Sequence, residues 1–350
     1  MAKPGPKSMR RPTLSDIASR AGVSITTASL VLTNKAKERY LSDDIIERVR
    51  KVAAELDYTP NLLVRSMQQG RTDTLVFYNA FRRRYEQDMY LDLLTVAIEL
   101  AGGQHGFDIL THCVFNRTVE ETYRHLNGGR CDGMLFFAPV PDDPLLPYLR
   151  NSRLPTVLIN SVDVEGVLSY VKDDHMDGLR QVADALCGLG HRRIAALATA
   201  PNGNRDGETR IWMLRELLAA RGVILPERWI LRPTEDDEAT EAALRFLVSE
   251  PSPPTAIFCW HDRLGYLILQ QCEKMGISLP DQISIVGYDG IRWPAKSQHI
   301  LASVKVDIES IAEAAVALLE QLINGHATGP VGKVLGVSLD HGTTLGPAPA

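Results

Sequence analysis

From Thr74 onward, short apolar segments alternate with segments of helical spacing, and this alternation constrains the fold more than any other feature of the chain. Such apolar runs are typical of strands that are buried on both faces of a sheet. Strands that alternate with helices form parallel sheets covered by helices on both sides. Because about 275 residues are more than a single core usually fills, we predict an α/β body over residues 73–350, with two lobes and a cleft between them.

The predicted strands of this body begin at 75 (LVFY), 107 (FDIL), 133 (GMLFF), 155 (PTVLI), 194 (IAALA), 255 (TAIFC) and 282 (QISIVGY). The predicted helices cover residues 88–102, 175–189, 209–221, 238–250, 262–275 and 308–323. Open α/β folds bind their ligands beyond the carboxyl ends of the strands. The segments that directly follow strands therefore hold candidate binding residues.

Residues 13–58 instead carry the pattern of a small all-α domain. Thr13 opens a capping box, and apolar residues follow at helical spacing until Gly22, which is predicted to end the first helix. A second short helix is predicted from Ser24, and so tight a turn between two helices forms a helix-turn-helix. A third helix, predicted over residues 42–56, closes the bundle with its apolar face.

The segments on either side of this domain differ from it in charge and length. Residues 1–12 form a basic tail that we expect to be flexible, and residues 59–72 form a hinge in which Gly70 ends a short helix. So short a helix is marginal in water and needs a partner surface such as DNA.

The two parts of the chain also differ in charge. Residues 1–72 hold 13 Lys and Arg against 7 Asp and Glu, whereas the remainder holds 25 against 36. This split is expected when one end meets nucleic acid, although a basic tail is often only solvated.

The composition argues against several classes of protein. No apolar run approaches the roughly 20 residues needed to cross a bilayer, and the basic N-terminus lacks the apolar segment of a secretory signal. We therefore expect a cytoplasmic protein without membrane contact. The 5 cysteines are scattered and form no C-x-x-C pair, which favours small buried side chains over metal or redox chemistry.

An enzyme is the main alternative class, for instance a sugar-modifying α/β protein fused to a DNA-binding domain. The sequence contains no G-x-S-x-G elbow, P-loop, dinucleotide fingerprint or H-E-x-x-H motif. Neither catalysis nor a cofactor or metal is expected. A secreted solute-binding protein is a second alternative, but it would need an export signal and has no use for the helical domain.

Short motifs spread over nearly the whole chain connect these segments to a known family. They are TLSDIA at 13, AGVS at 21, LDYTPN at 56, RSM at 65, GHRRI at 190, PTA at 254 and PDQISIVGYD at 280. Together they resemble the headpiece, hinge and body of the lactose-repressor (LacI/GalR) family. The resemblance implies a homodimer that binds a pseudo-palindromic operator in double-stranded DNA. It also implies a body like that of periplasmic binding proteins, in which a small-molecule effector, expected to be a sugar or sugar derivative, controls a repressor.

The resemblance places the second helix in the major groove, where side chains near its start contact base edges. Leu30 stands where many relatives have a polar group, and its apolar side chain suits a thymine methyl group; the alternative is packing under the third helix. Met67 stands where relatives usually have a leucine that wedges into the minor groove; the alternative is a contact between two hinge helices. The predicted DNA-binding residues are Thr13, Ser24, Ile25, Thr26, Thr27, Ser29, Leu30, Asn34, Asn61, Arg65 and Met67.

The resemblance also implies an effector site in the body. Arg210 and Asp289 are the pair expected to hydrogen-bond hydroxyl groups or polar edges of the effector. Trp260 would offer a stacking face to a sugar ring, unless it belongs to the core, and Asp262 is expected to cap its helix. The predicted effector-binding residues are Arg210, Asp289, Asp174, Trp260, His261, Arg82 and Tyr85.

The first strand is followed by a departure from the family pattern. Where relatives tend to have an aspartate and an asparagine-proline-phenylalanine turn, this chain has Arg82, Arg83, Arg84 and Tyr85. Three arginines at the carboxyl end of a strand can bind an anionic effector, such as a sugar acid or a phosphate. The alternative is a charged run that faces solvent.

The end of the chain predicts the size of the assembly. After the last strand the sequence runs into GPAPA, with no heptad helix that could join two dimers. A homodimer is therefore the largest assembly expected.

Overall fold

The structure is a computed structural model, which describes residues 12–33, 40–59, 66, 70–79, 88–112, 117–199, 206–294, 296–327 and 329–349. Its contacts divide the chain into two compact units, Met1–Thr72 and Asp73–Ala350. We call the first unit the headpiece and the second the body. None of the described helices is long and apolar enough to cross a membrane.

The headpiece contains three described helices, α1 (Leu14–Ala21), α2 (Ile25–Leu32) and α3 (Asp43–Glu55). Thr13 and Asp16 form the predicted capping box at the start of α1. Gly22 ends this helix in the left-handed region at φ 65°, which costs glycine little. The Ser24 hydroxyl accepts the Thr27 N–H at 3.0 Å and so begins α2 after a tight turn. The predicted helix-turn-helix is therefore confirmed.

The core of the headpiece is apolar. Ile17, Ala28, Val31 and Val49 have no exposed surface and bring the three helices together. Since the domain is small, this cluster is the main source of its stability.

The described part of the body contains, in chain order, β1 (Thr74–Asn79), α4 (Met89–Gln104), β2 (Asp108–His112), α5 (Val119–Asn127), β3 (Gly133–Phe137), α6 (Leu146–Arg150), β4 (Thr156–Ile159), β5 (Ser169–Asp173), α7 (His175–Gly188), β6 (Ile194–Leu197), α8 (Asp206–Ala219), a 3₁₀ turn (Glu227–Trp229), β7 (Ile230–Leu231), α9 (Asp237–Val248), β8 (Ala256–Cys259), α10 (Asp262–Lys274), β9 (Ser284–Asp289), β10 (Ala302–Lys305), α11 (Ile308–Ile323), β11 (Gly332–Leu335) and β12 (Ser338–Asp340). Each predicted strand and helix of the body has a counterpart among them. The sequence patterns missed α5, α6, β5, β7, β10, β11 and β12.

Two six-stranded sheets form the two predicted lobes. The first lobe has the strand order β11-β5-β4-β3-β1-β2, and all of its strands are parallel. Helices α4 and α11 cover one face of this sheet, and α5 and α6 cover the other. The second lobe has the order β12-β10-β9-β8-β6-β7. The predicted parallel sheets are confirmed, and the second one carries in addition an edge strand, β12, which enters from the first lobe and runs antiparallel to β10.

The described chain passes between the lobes three times, after β5, after β10 and after β11. The second passage returns α11 to the first lobe, where Ile311, Val316 and Leu319 are fully buried against its sheet. Each lobe is thus built from two separate stretches of sequence.

Candidate effector site and DNA-binding surface

Arg210 lies on α8 and is almost completely buried, with 4% of its surface exposed. Its Nη1 donates hydrogen bonds to the carbonyl oxygen of Trp260 at 2.7 Å and to Oδ1 of Asp289 at 3.2 Å. The guanidinium stacks 3.8 Å from the centre of the Tyr288 ring, an arrangement stabilised by the charge and the π-face. Its Nε has no hydrogen-bond partner among the described residues. The predicted pair of Arg210 and Asp289 is therefore brought together.

Asp289 is the last residue of β9, at the carboxyl end of the second sheet. Its φ of 108° is one that residues with a side chain rarely adopt, and such strain persists where the surroundings fix it. Burial raises the pKa of Asp289 to about 6, and the charge of Arg210 opposes this rise. The carboxylate therefore combines high hydrogen-bonding capacity with little access to water.

A second layer of polar groups surrounds the arginine. The Tyr288 hydroxyl donates to Oδ2 of Asp173 at 2.7 Å. Nε2 of His175 lies 3.2 Å from Nη2 of Arg210 and 3.0 Å from Oδ1 of Asp173. Burial would raise the pKa of Asp173, but the charge of Arg210 and the hydrogen bond from Tyr288 act in the opposite direction, and the pKa lies below its usual value. The sequence patterns identified neither Asp173 nor His175 as site residues.

Trp260 is 8% exposed and packs against Gly207, where an added Cβ would lie 3.1 Å from the indole. Its Nε1 donates to Oγ1 of Thr199 at 2.7 Å, and Thr199 donates in turn to Glu235 at 2.5 Å. The same Oε1 of Glu235 lies 2.8 Å from Nε2 of His261. Burial would raise the pKa of Glu235, but His261 lowers it to about 2. Trp260 thus anchors one end of a buried polar chain.

The expectation that Asp262 caps α10 is wrong. His261 is the capping residue, because its Nδ1 accepts the Leu264 N–H at 3.1 Å. The carboxylate of Asp262 instead accepts hydrogen bonds from the Ser303 hydroxyl and the Ile291 N–H, both at 2.5 Å. It therefore ties the start of α10 to the strands beside it.

Three further predicted effector residues have different outcomes. Asp174 caps α7, since its carboxylate accepts the Asp177 N–H at 3.0 Å. This contact does not test its predicted role in binding an effector. Arg82 and Tyr85 lie outside the described residues.

Asp88 and Tyr90 bring the first lobe close to this site. Burial raises the pKa of Asp88, and the charge of His261 in the second lobe lowers it. Burial also raises the pKa of Tyr90, and the charge of Arg210 lowers it. Asn160 donates to the Tyr90 hydroxyl at 2.6 Å, while its own buried Oδ1 has no partner among the described residues. Polar groups of both lobes thus face each other around the arginine.

In the headpiece, α2 presents small polar and apolar side chains. Ile25 is 53% exposed, Thr26 is exposed and Leu30 is half-buried. The described side chains packed on the headpiece core include Leu32 but not Leu30. Thr13, Ser24 and Thr27 use their hydroxyl groups in helix capping.

The predicted hinge is described only in part. The Gly70 N–H donates to the Ser66 carbonyl at 2.8 Å, the spacing of one helical turn. The predicted DNA-binding residues Asn34, Asn61, Arg65 and Met67 lie outside the described residues.

Comparison with known proteins identifies the two parts of the chain. Residues 13–61 match the bacterial regulatory proteins of the lacI family, and residues 183–344 match a periplasmic binding protein-like domain. The HTH-type transcriptional regulator CelR of Thermobifida fusca is 30% identical over 334 residues, which cover 93% of this chain and 96% of CelR. The chain belongs to the LacI family. It is a DNA-binding transcriptional regulator.

Solved structures of LacI-family regulators share its fold. A CelR–cellobiose complex superposes with a TM-score of 0.67 at 27% identity, covering 95% of this chain and 100% of that one. The lac repressor dimer bound to operator and the anti-inducer ONPF superposes with a TM-score of 0.82 at 23% identity, covering 96% and 100%. The two-lobed α/β body with a helix-turn-helix headpiece is therefore confirmed.

Proposed function

We propose that this LacI-family regulator is a repressor whose effector binds between the two lobes of the body, held by Arg210 and Asp289. The observation that carries the proposal is the buried, oriented guanidinium of Arg210, whose Nε has no partner among the described residues. A buried donor without a partner costs free energy that a ligand oxygen recovers. Asp289 beside it supplies acceptors for ligand hydroxyl groups.

The charges around Arg210 favour a neutral, hydroxyl-rich effector over an anion. Carboxylates predominate over cations in the described part of this region, and an anionic ligand would be repelled by them. The CelR relative is solved as a complex with cellobiose, a ligand of the favoured kind. An anionic effector bound by Arg82, Arg83 and Arg84 is the second candidate. The charged groups in this region of the described structure are Asp88, Asp173, Glu235, Asp289, Arg210 and Arg263. Asp262 is not counted among them, because burial raises its pKa well above the usual value.

Calorimetry with cellobiose tests the neutral candidate. Asp289→Ala should weaken binding by roughly 1–3 kcal/mol, or about 5- to 150-fold, because Arg210 and a ligand hydroxyl both lose a partner. Operator binding by the same variant should remain normal in a gel shift without effector. The matched control is Asp281→Ala, an exposed aspartate shortly before β9, which should bind cellobiose like the parent. Equal affinity of the parent and Asp289→Ala would move the site elsewhere, and binding of galacturonate instead of cellobiose would favour the arginine run.

The operator is contacted by α2 under the same proposal. Base contacts specify the sequence and phosphate contacts position the protein, so Ile25, Thr26 and Leu30 set specificity through their exposed or half-buried side chains. Ser29, Asn34, Asn61, Arg65 and Met67 are further DNA contacts that the family resemblance supports. A regulator of this kind acts in the cytoplasm and catalyses no reaction.

A homodimer completes the proposal, and an apolar stripe on α4 supports it. Leu93, Val96 and Leu100 recur at helical spacing and are 45%, 54% and 63% exposed. Such a stripe is typical of a surface that pairs with another protein, and the lac repressor structure is a dimer. Leu100→Asp should shift the protein toward monomer in sedimentation velocity at micromolar concentration. Ile224→Asp, at a 79% exposed apolar residue outside the stripe, should leave the dimer unchanged; a monomeric parent would contradict the proposal.

A further inference from the structure

The Nε2 atom of His175 faces two groups with opposite requirements. It lies 3.2 Å from Nη2 of Arg210 and 3.0 Å from Oδ1 of Asp173. A guanidinium only donates hydrogen bonds, and a carboxylate only accepts them. Nε2 can accept a hydrogen bond from Arg210 only when it carries no proton, and it can donate one to Asp173 only when it is protonated.

The geometry shows which requirement is met. The contact with Arg210 has the alignment of a hydrogen bond. Oδ1 of Asp173 is buried and has no aligned donor among the described residues. Nε2 of His175 thus accepts from Arg210, which places the proton of the neutral ring on Nδ1.

The neighbouring groups keep both competitors in place. Tyr288 holds Asp173 through its hydroxyl, and its ring lies edge-on to His175 with centroids 5.7 Å apart. Asp289 holds Arg210 through the other terminal nitrogen, Nη1. Asp173 and Arg210 are therefore fixed, and only the hydrogen-bond partner of His175 can change.

The junction lies where the chain first passes between the lobes. Asp173 is the last residue of β5 in the first lobe, and His175 is the first residue of α7 in the second. Arg210 belongs to the effector site put forward above. The same imidazole therefore touches the ligand-binding arginine and the connection between the lobes.

We infer that His175 is a positioning residue that couples Arg210 to the lobe connection by exchanging its hydrogen-bond partner. Nη2 of Arg210 carries two hydrogens, one of which points at His175. When that hydrogen is engaged elsewhere, Nδ1 of His175 releases its proton to water, Nε2 takes a proton from water, and Nε2–H donates to Asp173. A bond within the second lobe is thereby replaced by one to the first lobe. A ligand that makes this exchange favours one lobe arrangement over another, which is the condition for changing DNA affinity. Only the ligand half of this inference rests on the proposed effector site.

Removal of the arginine tests the exchange without any ligand. Full-length protein with ring-¹³C-labelled histidine in a deuterated background reports the tautomer of His175, whose signal is assigned by its loss in His175→Gln. The parent should show the Nδ1–H form, and Arg210→Met should show the Nε2–H form. Arg215→Met is the matched control on the same helix, since Arg215 is exposed and pairs with Glu227, and it should leave the signal unchanged.

Two results would overturn the inference. One is an Nε2–H signal for His175 in the parent. The other is an unchanged signal in Arg210→Met, or in Arg210→Lys if the methionine variant does not fold.

Cellobiose is the probe that tests whether ligand binding changes the tautomer of His175. If calorimetry shows that it binds, saturation should convert the parent to the Nε2–H form, and a bound protein that keeps the Nδ1–H form would overturn the coupling. If cellobiose does not bind, the proposed effector is wrong, whereas the ligand-free spectra still decide the role of His175.

Discussion

The headpiece and the body bury different kinds of side chain. Among the described residues of the headpiece the buried set is apolar throughout, and polar groups such as those of Thr13 and Ser24 sit at helix ends. The body buries Asp173, Arg210 and Asp262 with 1%, 4% and 2% of their surfaces exposed. The proposed DNA contacts are thus exposed side chains carried by an apolar scaffold, whereas the proposed effector site consists of charged groups held away from water.

This difference has an energetic consequence. Loss of an exposed DNA contact on α2 costs only the free energy of that contact, because water solvates the groups that it leaves behind. Loss of a buried charge leaves its partner unpaired in a medium of low polarity, which costs several times more. The body should therefore be far less tolerant of polar substitutions than the recognition surface.

Arg210→Ala should show the largest effect. Removal of the guanidinium leaves Asp289 without its buried cation, at a cost of about 3–5 kcal/mol in the free energy of unfolding of the body. Urea denaturation followed by tryptophan fluorescence measures this change. In Arg215→Ala the lost partner, Glu227, is 69% exposed, and the expected cost is about 0–1 kcal/mol. Equal losses in the two variants would remove the energetic distinction between the buried network and the surface.

Leu30→Arg should change specificity at moderate cost. An arginine hydrogen-bonds guanine and loses the contact with a thymine methyl group, so discrimination at the contacted base pair should change by roughly 1–3 kcal/mol. Selection from random DNA measures the preferred half-site. Glu47→Arg places the same side chain on exposed α3, with a charge change of two units instead of one, and should raise general affinity while keeping the consensus. An identical consensus for Leu30→Arg and the parent would assign base contact to another face of the headpiece.

The smallest effect concerns His105, whose side chain links the end of α4 to α11 within the first lobe through two glutamates. Its ring nitrogens lie 2.9 Å from Glu313 and 2.7 Å from Glu320, and these contacts raise its pKa above the usual value. The stabilisation is complete below the unfolded pKa near 6.5 and is lost as the pH rises through the raised folded pKa. Relative to His105→Gln, the parent should be more stable at pH 6 than at pH 9 in denaturant titrations. A difference between the parent and His105→Gln that does not change with pH would show that the glutamate contacts do not stabilise the lobe.

The fold was largely predictable because its strongest signals are local. Gly22 and Ser24 end and begin helices through their own chemistry, and fully buried strands such as β3 are continuous apolar runs. Strand β5 (SYVKD) escaped prediction because it alternates between buried and half-buried residues and ends in a buried charge. The return of α11 to the first lobe was also invisible, since an apolar helix face does not specify which sheet it covers.

The candidate effector site was predictable only where family resemblance assigned residues. Arg210 and Asp289 meet as expected, but Asp173, His175 and Glu235 carry no local pattern, because their roles arise from contacts between segments far apart in sequence. The φ of Asp289 is likewise set by the surrounding sheet and loop.

The three passages between the lobes have a consequence for the gene. Neither lobe corresponds to one continuous coding segment, because the first takes β1 to β5 from one stretch of sequence and α11 and β11 from another. A recombination that exchanged a single segment would give a hybrid with one incomplete core. Transfer of one intact lobe between two such proteins therefore requires exchange of both of its segments. A fragment truncated before residue 308 would lose α11, which together with α4 covers one face of the first sheet.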